Sequence, residues 1–543
     1  MKRTKTIYKN TIMLIFFSLV SYANADPITE QEQRERQKEI FEGFMRDPTE
    51  NIEKLTPDIT PEIETEKNGT CFDITSINVS NATLISETKI KNIIDKYINK
   101  CNYLSDLKNI INEINALYID SGYITSQSYI TSQDISNGTL DLSVIEGKIA
   151  NITPNESFIN TAFFMQKNKP LNIRDIEIAL ENINRLNSND ATMSLAPSDE
   201  VGYTDVIVEN NSTKRINGFV GVDNYGGKRT GEAQVSAGLG LENIFNINDI
   251  LNIYYNTSNK HFQDENSIGN GYDFSFPIGR ATFTFSQRNG RYEQFVRTGT
   301  NTFLTQGRTK TYTFDTHYKL YHDQKHRLGV DASISNYKTR NMFASVHLDT
   351  SSYRLTRAKL SFDYLYQIPG FYIYTDVSFT KGVDLFNNYH HTMLDDEYEY
   401  FNFSLSAMKD FYPFRYTMNL YSQYSNDELF GADKISIGGP YSVRGFNKEG
   451  LSGNSGYYIR NELIYNSNFD IFDGLGNSIF MAIDAGAIKE DDSSYGGKLV
   501  GFSFGTKLNY KCVDATLAYS VPIYREDVTR TQNFLSLSAK VRF

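Results

Sequence analysis

The 543-residue chain carries a formal net charge of −11, which makes it too long for one ordinary domain and acidic enough to argue against nucleic acid as a partner. With 37 Tyr, 36 Phe, 36 Gly, no Trp and a mean hydropathy of −0.44, it lacks the composition of a helical membrane protein, and after the N-terminus no run reaches the ~18 apolar residues of a transmembrane helix. An aromatic-rich, Gly-rich chain that is polar on average instead matches a β-barrel, because each strand is half lumen and half lipid.

Lys2, Arg3, Lys5 and Lys9 precede an apolar core from Ile12 to Val20, and Ala23-Asn24-Ala25 satisfies the small-x-small cleavage rule. Residues 1–25 are therefore expected to be a secretory signal. The apolar run is short for the alternative, a membrane anchor. Export implies an oxidising compartment, so a Cys71–Cys101 disulfide is expected, with two buried thiols as the alternative. Closing that loop contributes roughly 3–4 kcal/mol in the chain-entropy model.

Residues 26–47 read as a helix, densely mixed in charge from Glu30 to Glu39 and carrying Ile40, Phe41, Phe44 and Met45 at helical spacing. A mostly polar lone helix needs a surface to dock on. A polar barrel lumen would suit it as a plug; a frayed tail is the other reading. Residues 48–69, with Pro48, Pro57 and Pro61 among acids, read as an extended linker.

Residues 70–147 change character. Phe72, Ile74, Ile77 and Val79 predict a strand, and Ile90, Ile93, Ile94, Tyr97 and Ile98 an amphipathic helix. Leu107, Ile110, Ile111, Ile114 and Leu117 predict a second helix, ended by Gly122. Strands follow over Tyr123–Thr131 and Thr139–Ile145. A similar order recurs over residues 148–212: a strand near Ile149–Ile152, a helix marked by Ile173, Ile176, Leu180 and Ile183 and opened by Asn172, then strands at Ala191–Leu195 and Thr204–Val208. Two tandem copies of one small unit are a repeat of supersecondary structure.

From residue 213 to 543 the period is two. Leu535, Leu537, Ala539, Val541 and Phe543 alternate with Ser536, Ser538, Lys540 and Arg542; Phe401, Phe403 and Leu405 alternate with Asn402, Ser404 and Ser406. A soluble sandwich shares this alternation, but it does not need ~330 residues as one domain. About sixteen strand candidates leave room for an aqueous channel. One long stretch, residues 427–455, does not alternate. It holds Gly438-Gly439-Pro440-Tyr441-Ser442-Val443-Arg444-Gly445-Phe446. An arginine at that depth costs free energy unless paired, so Arg444 is a functional candidate. In the later strand around Phe480–Gly486, Ile483 and Ala485 share one face, which puts Ala482, Asp484 and Gly486 on the lumen face. A carboxylate there can accept two parallel N–H groups from a guanidinium. Asp484 is thus the best candidate partner for Arg444. Glu462, inward by parity with Arg460, is a further candidate, and an unpaired wet lumen acid at Asp484 is the alternative.

These stretches resemble one family. Cys71-Phe72 … Cys101 … Tyr118-Ile119-Asp120-Ser121-Gly122-Tyr123 … Val144-Ile145-Glu146-Gly147-Lys148 is similar to the first POTRA domain of two-partner secretion transporters, and Leu171-Asn172-Ile173-Arg174-Asp175-Ile176-Glu177 … Asn184-Arg185-Leu186-Asn187 to the second. Val443-Arg444-Gly445-Phe446 resembles the motif that tips their lumen-folded loop. The resemblance, to the haemolysin activators and filamentous-haemagglutinin transporters, covers nearly the whole chain. It implies a mainly β fold: a transmembrane antiparallel barrel of about sixteen strands behind two small α+β POTRA domains and an N-terminal plug helix. It implies that a lumen acid in an Asp-Ala-Gly strand, here Asp484, pairs with the loop arginine. It also implies an outer-membrane location with the POTRA domains in the periplasm. The implied partners are a large unfolded exoprotein with an N-terminal secretion domain, outer-membrane lipid, and the barrel assembly machinery for insertion. An assembly or insertase factor of the same superfamily is the alternative. No enzyme activity, cofactor or metal is expected. The motifs His-Glu-x-x-His and Gly-x4-Gly-Lys-Ser/Thr are missing, and His390-His391 sits in an Asn- and Tyr-rich loop.

Overall fold

The computed structural model describes residues 70–543, apart from 228, 260–264, 299–300, 447–449, 468–473, 527 and 529–531. The expected signal (1–25), plug helix (26–47) and linker (48–69) lie outside the described residues.

The first unit runs β1 (Phe72–Ile74), β2 (Ser76–Ser80), α1 (Glu87–Ile94), β3 (Lys100–Asn102), α2 (Leu104–Asp120), β4 (Gln127–Ile130) and β5 (Thr139–Ile145). The predicted first strand is two strands. The backbone breaks at Thr75, whose N–H and hydroxyl both donate to the Gly138 carbonyl, at 2.8 and 3.1 Å. β1 then pairs with β3, while β2 joins a sheet of order β2-β5-β4. The β1–β3 ribbon sets Cys71 beside Cys101, and the two form a disulfide with a Cα–Cα distance of 5.4 Å. α1 ends at Ile94, earlier than its periodicity predicts. Asn99 reverses the chain at φ 58° and donates its N–H to the Ile74 carbonyl at 2.7 Å. Tyr97 and Ile98 still pack on the core built around Ile74, Ile110, Ile114 and Leu140.

The second unit runs β6 (Lys148–Thr153), α3 (Ser157–Ala162), α4 (Ile173–Asn184), β7 (Ala191–Pro197) and β8 (Tyr203–Asn210). Its last strand pairs in parallel with its first and antiparallel with the one between, as β5 does in the first unit. The repeat read from the sequence is thus a repeat of topology. α3 escaped the sequence reading because six residues are too few to establish a period. Asn172 caps α4 by accepting the Arg174 N–H at 2.9 Å. Gly122, at φ +91°, ends α2 and also joins the units: its carbonyl accepts the Ile173 N–H at 2.9 Å, and a Cβ there would lie 2.5 Å from Asn172 Oδ1.

A closed barrel of sixteen antiparallel strands follows, from Ile216–Asp223 to Phe534–Arg542. The first and last strands close it in register from Asp223↔Ser538 to Phe219↔Arg542. The wall is inside out. Phe401, Met481, Leu535 and Leu537 are about half exposed on the outside, whereas Asn402, Ala482 and Ser536 are buried within. That is the pattern of a lipid-facing belt around a polar lumen.

The second unit is bolted to the turns at one end of this barrel. Asn182 Nδ2 donates to the Gly279 carbonyl at 2.6 Å, and Arg280 pairs with Asp175 at 2.6 Å. Glu181 on α4 meets Lys319 at 3.2 Å, Arg327 at 3.4 Å and His322 at 3.5 Å. Burial opposes ionisation of Glu181, but these cations outweigh it and hold the carboxyl down to about 2. At the opposite end, the chain between strands Phe414–Tyr424 and Gly456–Ser467 folds back into the lumen as a long loop. It contains a small hairpin, Ile435–Ile437 with Leu451–Gly453.

Candidate functional site

Three neighbouring strands, Gly456–Ser467, Leu475–Ile488 and Gly497–Tyr510, present a row of charged side chains to the lumen. Register places Asp484 between Arg460 on one side and Gly501 on the other, with Glu462 beside Ala482. The loop tip meets this row. Arg444 Nε donates to Asp484 Oδ2 at 2.6 Å and Nη2 to Oδ1 at 2.8 Å, a fork gripping a carboxylate side-on. The Arg444 backbone N–H adds a third bond to Oδ2 at 3.1 Å. Nη1 turns to Glu462 Oε2 at 2.9 Å, and the other Glu462 oxygen pairs with Lys507. The structure therefore brings Arg444, Asp484 and Glu462 together. The Asp484 side chain is 1% exposed and that of Arg444 10%. Removing one member of so dry a pair strands a buried charge, at a cost of about 3–5 kcal/mol.

Small residues make the approach possible. Gly445 adopts φ +98°, and a Cβ there would lie 2.8 Å from the Val521 backbone. Gly486 leaves space for Val443: a Cβ on it would lie 3.2 Å from Val443 Cγ2. Gly501 is the tightest case, since a Cβ there would collide with the Arg444 carbonyl. Val443 and Phe446 are buried in an apolar cluster with Ile437, Tyr458, Ile488 and Leu499. That cluster packs the loop against the wall on either side of the ion pairs.

Sequence reasoning missed several members. Lys507 lies on the polar face of an alternating strand, so its lumen position was legible, but its partner was not. Arg460 donates to the Pro440 carbonyl at 2.7 Å, holding the loop just before the tip. Near the loop's start, buried Asp433 accepts from Tyr398 at 2.7 Å, Tyr400 at 3.2 Å and Arg357 at 2.9 Å. Nothing local marks Asp433, because its partners come from other strands. Gly501-Phe502-Ser503-Phe504-Gly505 carries the letters of the Gly-x-Ser-x-Gly hydrolase motif. It lies flat within a barrel strand rather than on a strand-to-helix elbow, and buried Ser503 hydrogen-bonds Ser520 at 2.7 Å.

A sixteen-strand barrel, two α+β units docked at one mouth and an arginine-tipped loop inside define an outer-membrane transporter of the POTRA-barrel class. The family model of the haemolysin secretion/activation proteins ShlB/FhaC/HecB matches residues 202–508, a ShlB-type POTRA domain matches 72–147, and a further POTRA domain matches 145–197. The chain belongs to this haemolysin secretion/activation family: it is an outer-membrane transporter of two-partner secretion, with its POTRA domains in the periplasm. It is 28% identical to the outer membrane transporter CdiB of Dickeya dadantii over 515 residues, 90% of each chain. It is 25% identical to the hemolysin transporter protein HpmB of Proteus mirabilis, covering 93% of this chain and 90% of that one. In fold it is similar to CdiB from Escherichia coli, with a TM-score of 0.87 at 24% identity over 96% of this chain and 100% of that one.

Proposed function

We propose that the cargo is a large unfolded exoprotein of haemolysin or adhesin type, taken up through its N-terminal secretion domain by the POTRA domains and passed through the barrel lumen. The observation that carries the mechanism is the Arg444 fork on Asp484 and Glu462. In this reading the loop shifts from its seat on the wall while an extended chain passes. The ion pairs act as a latch that returns the loop to one seat. Folding of the cargo outside the cell supplies the free energy. The exposed apolar belt sits in outer-membrane lipid, and the barrel assembly machinery inserts it.

The test is quantitative proteomics of medium and outer membrane with and without the gene. Loss of one large exported protein from the medium is expected. Broad depletion of outer-membrane barrels would overturn the reading in favour of an assembly factor. Restoring the gene as Arg444→Ala should return a folded barrel without restoring export, and normal export by that variant would sink the latch.

A further inference from the structure

A second cluster of titratable groups lies on the lumen wall, away from the loop tip. His317, Asp331 and Asp363 come from three successive strands, Asn301–His322, His326–Phe343 and Tyr353–Ile368. His317 and Asp331 are direct cross-strand partners, and Asp363 lies opposite Gly329. All three side chains are on the inner face, since Phe314, Tyr318, Phe362 and Tyr364 between them are exposed on the outer one. Their strands end or begin nearby at His322, His326 and Ile368, so the cluster sits towards the periplasmic mouth.

The geometry is that of a ligand set. His317 Nδ1 shares a hydrogen bond with Asp331 Oδ1 at 3.0 Å, whose proton a bound ion would replace, and lies 3.6 Å from Asp363 Oδ1; the three candidate ligand atoms lie within 4.8 Å of one another. Zinc bonds of about 2.0–2.2 Å place neighbouring ligand atoms about 3.0–3.6 Å apart. Two edges already match, and a modest side-chain adjustment closes the third. An independent observation points to a missing partner. Asp363 is 9% exposed, yet its Oδ1, the atom nearest the imidazole, is buried without a hydrogen-bond partner among the described residues. Gly329 keeps the space open, because a Cβ there would strike both Asp363 Oδ1 and the His317 ring. Ser361 Oγ, 3.5 Å from Asp331 Oδ2, is placed as an outer support.

We propose that His317, Asp331 and Asp363 form a binding site for a divalent transition metal, Zn²⁺ first among them, with its remaining positions open to lumen water. One imidazole and two carboxylates without a thiolate suit such an ion and disfavour soft ones such as Cu⁺. Bound there, the ion bridges three adjacent strands close to where Lys319 and Arg327 grip Glu181 of the second POTRA domain.

The test uses the full-length protein in detergent, free of any histidine tag, stripped with chelator and titrated with Zn²⁺ against a competing chromophoric chelator. One equivalent should bind to the wild type. His317→Ala and Asp363→Asn should each weaken it by more than the about 10–100-fold typical of losing an outer-shell support, while His391→Ala leaves it unchanged. Heat-modifiable gel migration reports whether each variant barrel is folded; if His317→Ala is not, Asp363→Asn decides alone. No saturable binding to the wild type, or equal binding by a folded site variant, would overturn the proposal.

Discussion

The POTRA domains and the barrel bury opposite chemistry with similar strands. Inside the first POTRA domain lie Ile74, Ile110, Ile114 and Leu140, each fully buried. Inside the barrel lie Arg444, Arg460, Asp484 and Asp433, while Leu535, Leu537 and Phe543 face out. Both regions alternate with period two where their strands are long enough. Alternation thus reports that a strand has two faces; the solvent on each side decides which is the interior. An apolar interior is held by volume and tolerates changes of chemistry poorly. A charged interior is held by pairing and tolerates loss of one partner poorly.

The contrast can be broken at its strongest point first. Asp484→Ala should leave Arg444 with Glu462 alone and lower export nearly as far as Arg444→Ala, while the double variant should export no worse than either single one. Secretion assays on the three strains check this, and additive losses would show that the two residues act separately. Next, Gly501→Val changes no charge but drives a side chain into the Arg444 carbonyl. Export should fall with the barrel still assembled, measured by secretion alongside heat-modifiable migration. In the POTRA region the currency is volume. Ile110→Ala should cost about 2–5 kcal/mol, read as a lower denaturant midpoint for the POTRA transition with the barrel transition unmoved.

The smallest effect lies at the joint between the two regions. The folded Glu181 carboxyl is held at about 2, against an ordinary value of 4.5. A depressed carboxyl stabilises the joint above its ordinary value and loses that contribution as pH falls through the folded one. Docking of the second POTRA domain should therefore loosen between about pH 4.5 and about pH 2. Faster limited proteolysis at the junction would register it. In Glu181→Gln the junction should already be looser at neutral pH and should lose that acid sensitivity.

Much of this was legible in advance, for identifiable reasons. Ile110, Ile114 and Leu117 repeat at helical spacing over a helix long enough to show it, and Gly122 ends that helix because its φ is positive. Leu535 to Phe543 alternate over a whole strand. α3 was too short to show a period, and the break at Thr75 depends on a carbonyl sixty-three residues away. The inward faces of Asp484, Glu462 and Lys507 were readable by parity, whereas the pairing of Glu462 with Lys507 was not.

By itself, then, the sequence determined the barrel, the two helix-and-strand repeats, the inward faces of Asp484 and Glu462, and Arg444 ahead of a glycine as a charge in need of a partner. These are short-range properties, carried by spacing along one strand or helix. Only the tertiary structure decided that Asp433 anchors the start of the loop on Tyr398, Tyr400 and Arg357, that Gly501 makes room for the Arg444 carbonyl, and that His317 meets Asp331 and Asp363. Those contacts depend on the hydrogen-bond register between strands and on where a long loop folds back, and no local period encodes either.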